Sequence, residues 1–210
     1  MADVVYLHGF GSGPGSRKAQ AIRRALEAAG LEVAVPDLAD GNFEALTITG
    51  QLSVLERAAG GQPVRLVGSS MGGYLAALYA AHPEVTQLAL MAPAFDFPRA
   101  WAASYDAETL AEWRRTGRTS VFHYAEGRHR DLGYQIVEDA ARYDAFPDFN
   151  QPALIFHGVH DDVVPVERSR SFAAGHPNVR LEVLDSGHEL LNVLDYMAAG
   201  IVSFFKTSGL

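Results

Sequence analysis

Six short runs of β-branched and apolar residues punctuate the chain, at positions 4–7, 32–35, 64–67, 85–91, 153–156 and 179–184. Helical patterns lie between them, at 16–29, 43–59, 70–81 and 166–174, with a final one from about 190 to 205. The runs are apolar at consecutive positions rather than alternate ones, so both faces must be covered. That favours a parallel sheet lying between helices over a half-exposed antiparallel one. Strand and helix in alternation imply an α/β architecture with right-handed crossovers. The punctuation agrees: Ser16 suits the N-cap of the first helix, Gly30 and Gly60 suit left-handed stops, and His82-Pro83 ends the third helix. With 210 residues, one sizeable core is expected, and hence a single domain over 1–210.

Composition narrows the function classes. The net charge of −8 argues against binding nucleic acid by neutralising phosphates. There is no cysteine, which excludes disulfides, thiol nucleophiles and thiolate metal sites. No apolar run approaches the roughly 20 residues of a membrane helix. The chain enters its first strand with no basic, cleavable leader, so a cytoplasmic protein is expected.

One segment breaks the rhythm. Residues 94–146 show no clear strand and are too long for a simple crossover, yet hold both tryptophans and ten of the 21 aromatic residues. The pattern predicts a helical, cap-like insertion, with helices at 109–115 and 132–142. Phe95, Phe97, Trp101 and Tyr105 are expected to line a pocket for an acyl group. Arg114, Arg115, Arg118, Arg128 and Arg130 are interleaved with acids and read as a solvated surface rather than an anion site.

The chemistry gathers where strand pattern meets helix pattern. Gly68-Ser69-Ser70-Met71-Gly72 directly follows Val64-Arg65-Leu66-Val67, giving G-x-S-x-G at a strand-to-helix turn. Such a turn exposes the Ser70 hydroxyl over a helix N-terminus. A serine hydroxyl still needs a base, an orienting acid and donors for a developing oxyanion. His188, in Asp185-Ser186-Gly187-His188 after the last strand, sits on a loop at the same sheet edge and supplies the base. The acid falls in His157-Gly158-Val159-His160-Asp161-Asp162 after the preceding strand. Asp161 is assigned to it, with Asp162 left to start the next helix. The order Ser70, Asp161, His188 is that of α/β-hydrolase sites. The amides of Met71 and Phe10, the latter in His8-Gly9-Phe10-Gly11, are the expected oxyanion donors. The His8 side chain reads as a structural hydrogen-bonding group.

The glycines at 9, 11, 13 and 15 invite a dinucleotide reading, but the register fails. The third glycine of G-x-G-x-x-G falls on Pro14, Ser16 or Lys18, depending on the start. No P-loop pattern occurs, and the histidines are scattered. No cofactor and no metal are expected.

Two blocks then point to a family. Tyr6-Leu7-His8-Gly9-Phe10, with Ser12-Gly13-Pro14 and Ser16-Arg17-Lys18-Ala19, is one; Leu66 to Tyr74 is the other. The chain resembles the α/β-hydrolase superfamily over nearly its whole length, and more narrowly the small bacterial YqiA/YcfP-like esterases. The resemblance implies a minimal hydrolase fold: a six-stranded, mostly parallel sheet in order 2-1-3-4-5-6 with helices on both faces. It also implies cofactor-free hydrolysis of short acyl esters. The expected activity is therefore that of a serine carboxylesterase acting on a small-molecule ester of short to medium acyl chain. Thioester or peptide hydrolysis on the same residues, or a non-catalytic binding module, are the rivals. The partners expected are a small molecule, no nucleic acid and no membrane span, in a monomer or homodimer.

Overall fold

A computed structural model describes residues 2–207. In chain order the elements are β1 (Val4–Leu7), α1 (Arg17–Ala28), β2 (Val33–Ala34), α2 (Ile48–Ala59), β3 (Val64–Ser69), α3 (Met71–Tyr79) and β4 (Val85–Met91). Then come α4 (Phe97–Ala103), α5 (Ala107–Thr116), β5 (Arg118–His123), β6 (Arg128–Gly133) and α6 (Gln135–Ala140). The chain closes with β7 (Ala153–Gly158), α7 (Val166–Gly175), β8 (Val179–Leu184) and α8 (Leu194–Thr207). Six strands form one sheet in order β2-β1-β3-β4-β7-β8, and every pairing in it is parallel. The order is the implied one, offset in number because β5 and β6 stand apart in a second sheet.

Period-2 geometry divides each apolar run between two cores. Val5, Leu7, Leu66, Leu88, Leu90 and Ile155 face the side covered by α2 and α3. Val4, Tyr6, Val67, Ala89, Leu154 and Phe156 face the side covered by α1 and α8. This explains the unbroken hydrophobicity of the runs. Helix α1 presents Ala19, Ile22 and Leu26 to the sheet, three residues at helical spacing, and starts where the Ser16 hydroxyl accepts the Ala19 amide at 3.3 Å. Helix α3 is apolar nearly all round and accordingly central. Among the described residues, no helix is long and apolar enough to cross a membrane.

Several boundaries differ from those the sequence predicts. The stretch 43–59 is not one helix: a 3-10 turn at Phe43–Ala45 precedes α2, because Thr47 caps α2 through the Gly50 amide at 2.9 Å. Strand β2 is two residues long rather than four. Leu190 takes a left-handed conformation, φ 56°, and a 3-10 turn then delays α8 to Leu194. Asp162 does not begin a helix, since α7 starts four residues later behind Pro165.

The largest correction lies in the insertion, which contains strands. β5 and β6 form an antiparallel hairpin with register Arg118↔Gly133 to His123↔Arg128. The expected helix 132–142 shrinks to α6, because Leu132 and Gly133 belong to β6. Only Val121, His123, Leu132 and Gly133 of the two strands are buried, so the apolar alternation is too sparse to announce them. Their tight loop closes on Gly127 at φ 63°. The arginines behave as read: Arg115 pairs with Glu112, Arg118 with Asp131, and Arg128 and Arg130 with Glu126.

Candidate active site

The loops after β1, β3, β7 and β8 all leave the carboxyl edge of the sheet, and together they carry Phe10, Ser70, Asp161 and His188. Ser70 sits between β3 and α3 with φ 54° and ψ −117°, a conformation unfavourable for a residue with a side chain. Its backbone is over-determined. The Ser70 amide donates to Met91 O at 2.9 Å, and its carbonyl accepts from Gly73, Tyr74 and Ala94. The flanking glycines are needed for space. A Cβ at Gly68 would overlap the backbone of Gly72 and Gly73, and one at Gly72 would overlap the carbonyls of Leu7 and His8. The turn is thus wedged between two parallel strands, and only glycine lets it approach so closely.

The loops that carry Asp161 and His188 are laced to each other. Val159 N donates to Leu184 O at 2.8 Å, and His160 N to Ser186 O at 3.0 Å. This brings His188 Nδ1 to 2.8 Å from Asp161 Oδ2 and His188 Nε2 to 3.0 Å from Ser70 Oγ. An ionised carboxylate can only accept, so Nδ1 carries the proton, and Nε2 is left to accept from the serine hydroxyl. The Asp161 side chain is fully buried. Burial alone would raise its pKa. Hydrogen bonds from His157, His188 and the Val164 amide outweigh burial and hold the carboxyl well below the usual range.

Asp161 is fully engaged. Its Oδ1 accepts the amides of Val163 and Val164 at 2.9 and 2.7 Å, and its Oδ2 faces His157 Nε2 at 3.2 Å. His157, wholly buried, also donates Nε2–H to Val164 O at 2.9 Å while Nδ1 meets the Ser169 hydroxyl at 2.7 Å. Asp162 is exposed and takes no part. His8 matches its structural reading: Nδ1 donates to Gly9 O at 3.0 Å, and Nε2 accepts from the Leu38 amide at 3.3 Å. Burial lowers its pKa, consistent with a neutral ring.

Ser70 and His188 open onto a cavity of about 1040 Å³. Phe10 and Met71 line it beside the serine, and Phe97 and Trp101 line its apolar side with Ala100. Phe95 and Tyr105 do not line it. Phe95 is wholly buried and stacks on Phe172 at 4.3 Å, while Tyr105 packs behind Trp101, 5.4 Å from Trp113. Aromatic composition alone could not separate the pocket wall from the layer that props it. Other lining residues carry no pocket signal in the sequence. Tyr124 and Ala125 reach the cavity from the hairpin tip, and Arg168 reaches it from α7. The clue to the tip was the turn glycine at 127. Lys18, part of the Ser16-Arg17-Lys18-Ala19 block, also lines the cavity. Among the described residues, no group of three or more His, Asp or Glu side chains converges in the manner of metal ligands.

A parallel sheet of this order, carrying a serine turn after its third strand and the Asp161 and His188 loops after its last two, is the α/β-hydrolase fold. Solved structures agree. Mouse alpha/beta hydrolase domain-containing protein 10 superposes with a TM-score of 0.80 at 22% identity, over 97% of this chain and 89% of its own. A monoacylglycerol lipase from Paleococcus ferrophilus gives 0.74 at 18% identity, over 96% and 92%. The esterase domain of a Rhodothermus marinus protein gives 0.66 at 21% identity, over 97% and 84%. Within that class, the chain belongs to the uncharacterised protein family UPF0227, which it matches over residues 3–206. A search of curated proteins finds no match.

Proposed function

We propose that the protein is a serine hydrolase that cleaves carboxylic esters of short to medium acyl chain. The observation that carries this reading is the unbroken hydrogen-bonded relay Asp161–His188–Ser70, ending on a serine held at the wall of a cavity. In the proposed reaction Ser70 Oγ attacks the ester carbonyl and His188 Nε2 takes its proton. Asp161 keeps the imidazole in the required tautomer and stabilises the imidazolium. The amides of Phe10 and Met71 receive the oxyanion, each contributing about 2.7–4 kcal/mol. His188 then protonates the departing alcohol, and water releases the acyl group by the same steps in reverse. Among the described residues the Phe10 amide has no protein acceptor, which is compatible with a donor awaiting substrate. The lipase and the esterase domain of similar fold lend general support to ester chemistry.

The test is hydrolysis of p-nitrophenyl acetate and butyrate by the wild type and by Ser70→Ala, together with labelling by a fluorophosphonate probe. Turnover and labelling confined to the wild type support the reading. Equal rates in the two proteins, or an unlabelled but folded wild type, would overturn it. Acyl thioesters run in parallel rank the leaving group.

A further inference from the structure

The cavity is not uniformly apolar, and its polar arm contains a buried cation that the reaction above does not use. Lys18 lies in the first turn of α1, is 9% exposed, and has its ammonium on the Ser69 hydroxyl at 3.0 Å, one residue from Ser70. No carboxylate stands within 4.0 Å of it among the described residues, although ten other salt bridges involve the arginines. An ammonium has three donors, and only one is seen engaged here. Burying a cation without a counter-charge is costly. Burial lowers the Lys18 pKa, while the more distant charges of Glu189 and Asp161 oppose that shift.

The surroundings are cationic as well. Arg17 and Arg168 line the same cavity, as does Ser16 at the N-terminus of the twelve-residue α1. Glu189 is the one acid lining it among the described residues. Arg168 is already engaged by Phe95 O at 3.1 Å and by Asp96 at 3.7 Å, which leaves Lys18 as the buried cation without a close carboxylate. A cavity with this excess of positive charge, in a protein of net charge −8, is set up to draw in and hold an anion. The aromatic part of the lining, Phe10, Phe97 and Trp101, suits an apolar chain.

We infer that the site takes esters bearing an anionic group, a carboxylate or a phosphate, which Lys18 receives in the polar arm of the cavity. The inference rests on the reading of Ser70 as nucleophile. The polar arm then sets substrate choice, and Lys18 binds rather than reacts.

The experiment compares kcat/KM for matched pairs of anionic and neutral esters. p-Nitrophenyl hemisuccinate against p-nitrophenyl valerate places the anion on the acyl side. 4-Butyryloxybenzoate against 4-butyryloxybenzamide places a carboxylate on the alcohol side, and 4-butyryloxyphenyl phosphate places a phosphate there. The expected result is a preference of about tenfold or more for at least one anionic ester, the scale of one charge-assisted hydrogen bond. In folded Lys18→Met that preference should disappear, with the neutral esters losing less than the anionic one. Lys18→Gln serves if the methionine variant does not fold, and circular dichroism checks both. Hydrolysis that depends on Ser70 but shows no anionic preference overturns the inference while leaving the hydrolase reading intact. Equal loss of both ester classes in folded Lys18→Met also overturns it, because Lys18 would then only support Ser69. Hydrolysis that survives in Ser70→Ala defeats the parent reading instead.

Discussion

The serine turn and the insertion above it are held in opposite ways. At the turn, position is dictated by backbone. Gly68 and Gly72 leave no room for a Cβ, and the strained Ser70 is pinned through its own amide and carbonyl. In the insertion, position is dictated by side chains meeting side chains. Trp101 stacks on Phe97 at 5.1 Å and meets Trp113 edge-on at 5.5 Å, and Trp113 donates its indole N–H to Leu132 O at 3.0 Å. A backbone wedge tolerates almost no substitution, whereas an aromatic stack can be repacked. The first arrangement suits the reacting atom proposed at Ser70, which must not wander, and the second suits the proposed substrate wall.

Substitutions can break this contrast or sharpen it. The largest effect is expected at Ser70: Ser70→Ala should lower kcat/KM for p-nitrophenyl butyrate by on the order of 10⁴-fold or more, read from initial rates. Asp161→Asn should follow, at about 10³–10⁴-fold in kcat, because the imidazole loses its orienting acceptor.

The same variant carries a pH signature. The Asp161 pKa is depressed by folding, so its contribution to stability is present above the unfolded value of about 3.9 and is lost as pH falls toward the folded value. The gap in melting temperature between wild type and Asp161→Asn should therefore be wide near neutrality and narrow progressively as pH falls below about 4. A gap that widens in acid would contradict the hydrogen-bond account.

Next comes Gly72→Ala, expected to destabilise the fold by about 1–3 kcal/mol in urea unfolding, because Leu7 and His8 must yield. An unaffected midpoint would show that the wedge is looser than its geometry. The smallest effect is expected in the wall. Trp101→Leu should alter discrimination among acetyl, butyryl and hexanoyl esters by about tenfold and leave the Ser70 probe reaction in place. If that variant abolished labelling, the wall and the turn would not be separable.

The contrast also explains what the sequence disclosed. Parallel strands buried on both faces leave long apolar runs, and a wedged turn leaves glycines at set offsets, so β1, β3, β4, β7 and Ser70 were legible. Asp161 and His188 were legible because each follows a strand at the same sheet edge. The hairpin was not, since β5 and β6 carry arginines, histidines and an aspartate and bury only four of their twelve residues. Phe95 and Tyr105 misled for a related reason: a ring in a pocket wall and a ring one layer behind it look alike in a sequence. The burial of Lys18 was not legible either, since its hydroxyl partner Ser69 lies 51 positions away in the chain.

The Ala125 amide at the hairpin tip donates to Gly11 O at 3.0 Å, next to the loop position of Phe10. That single peptide contact makes the insertion a poor candidate for transplantation. A chimera given a relative's wall would also receive a new clamp on the Gly9–Phe10–Gly11 loop, and changes in what is admitted would arrive together with changes in turnover. Keeping Ala125 and Gly127 of the tip while exchanging only the aromatic helices α4 and α5 is the graft that would keep those two properties apart.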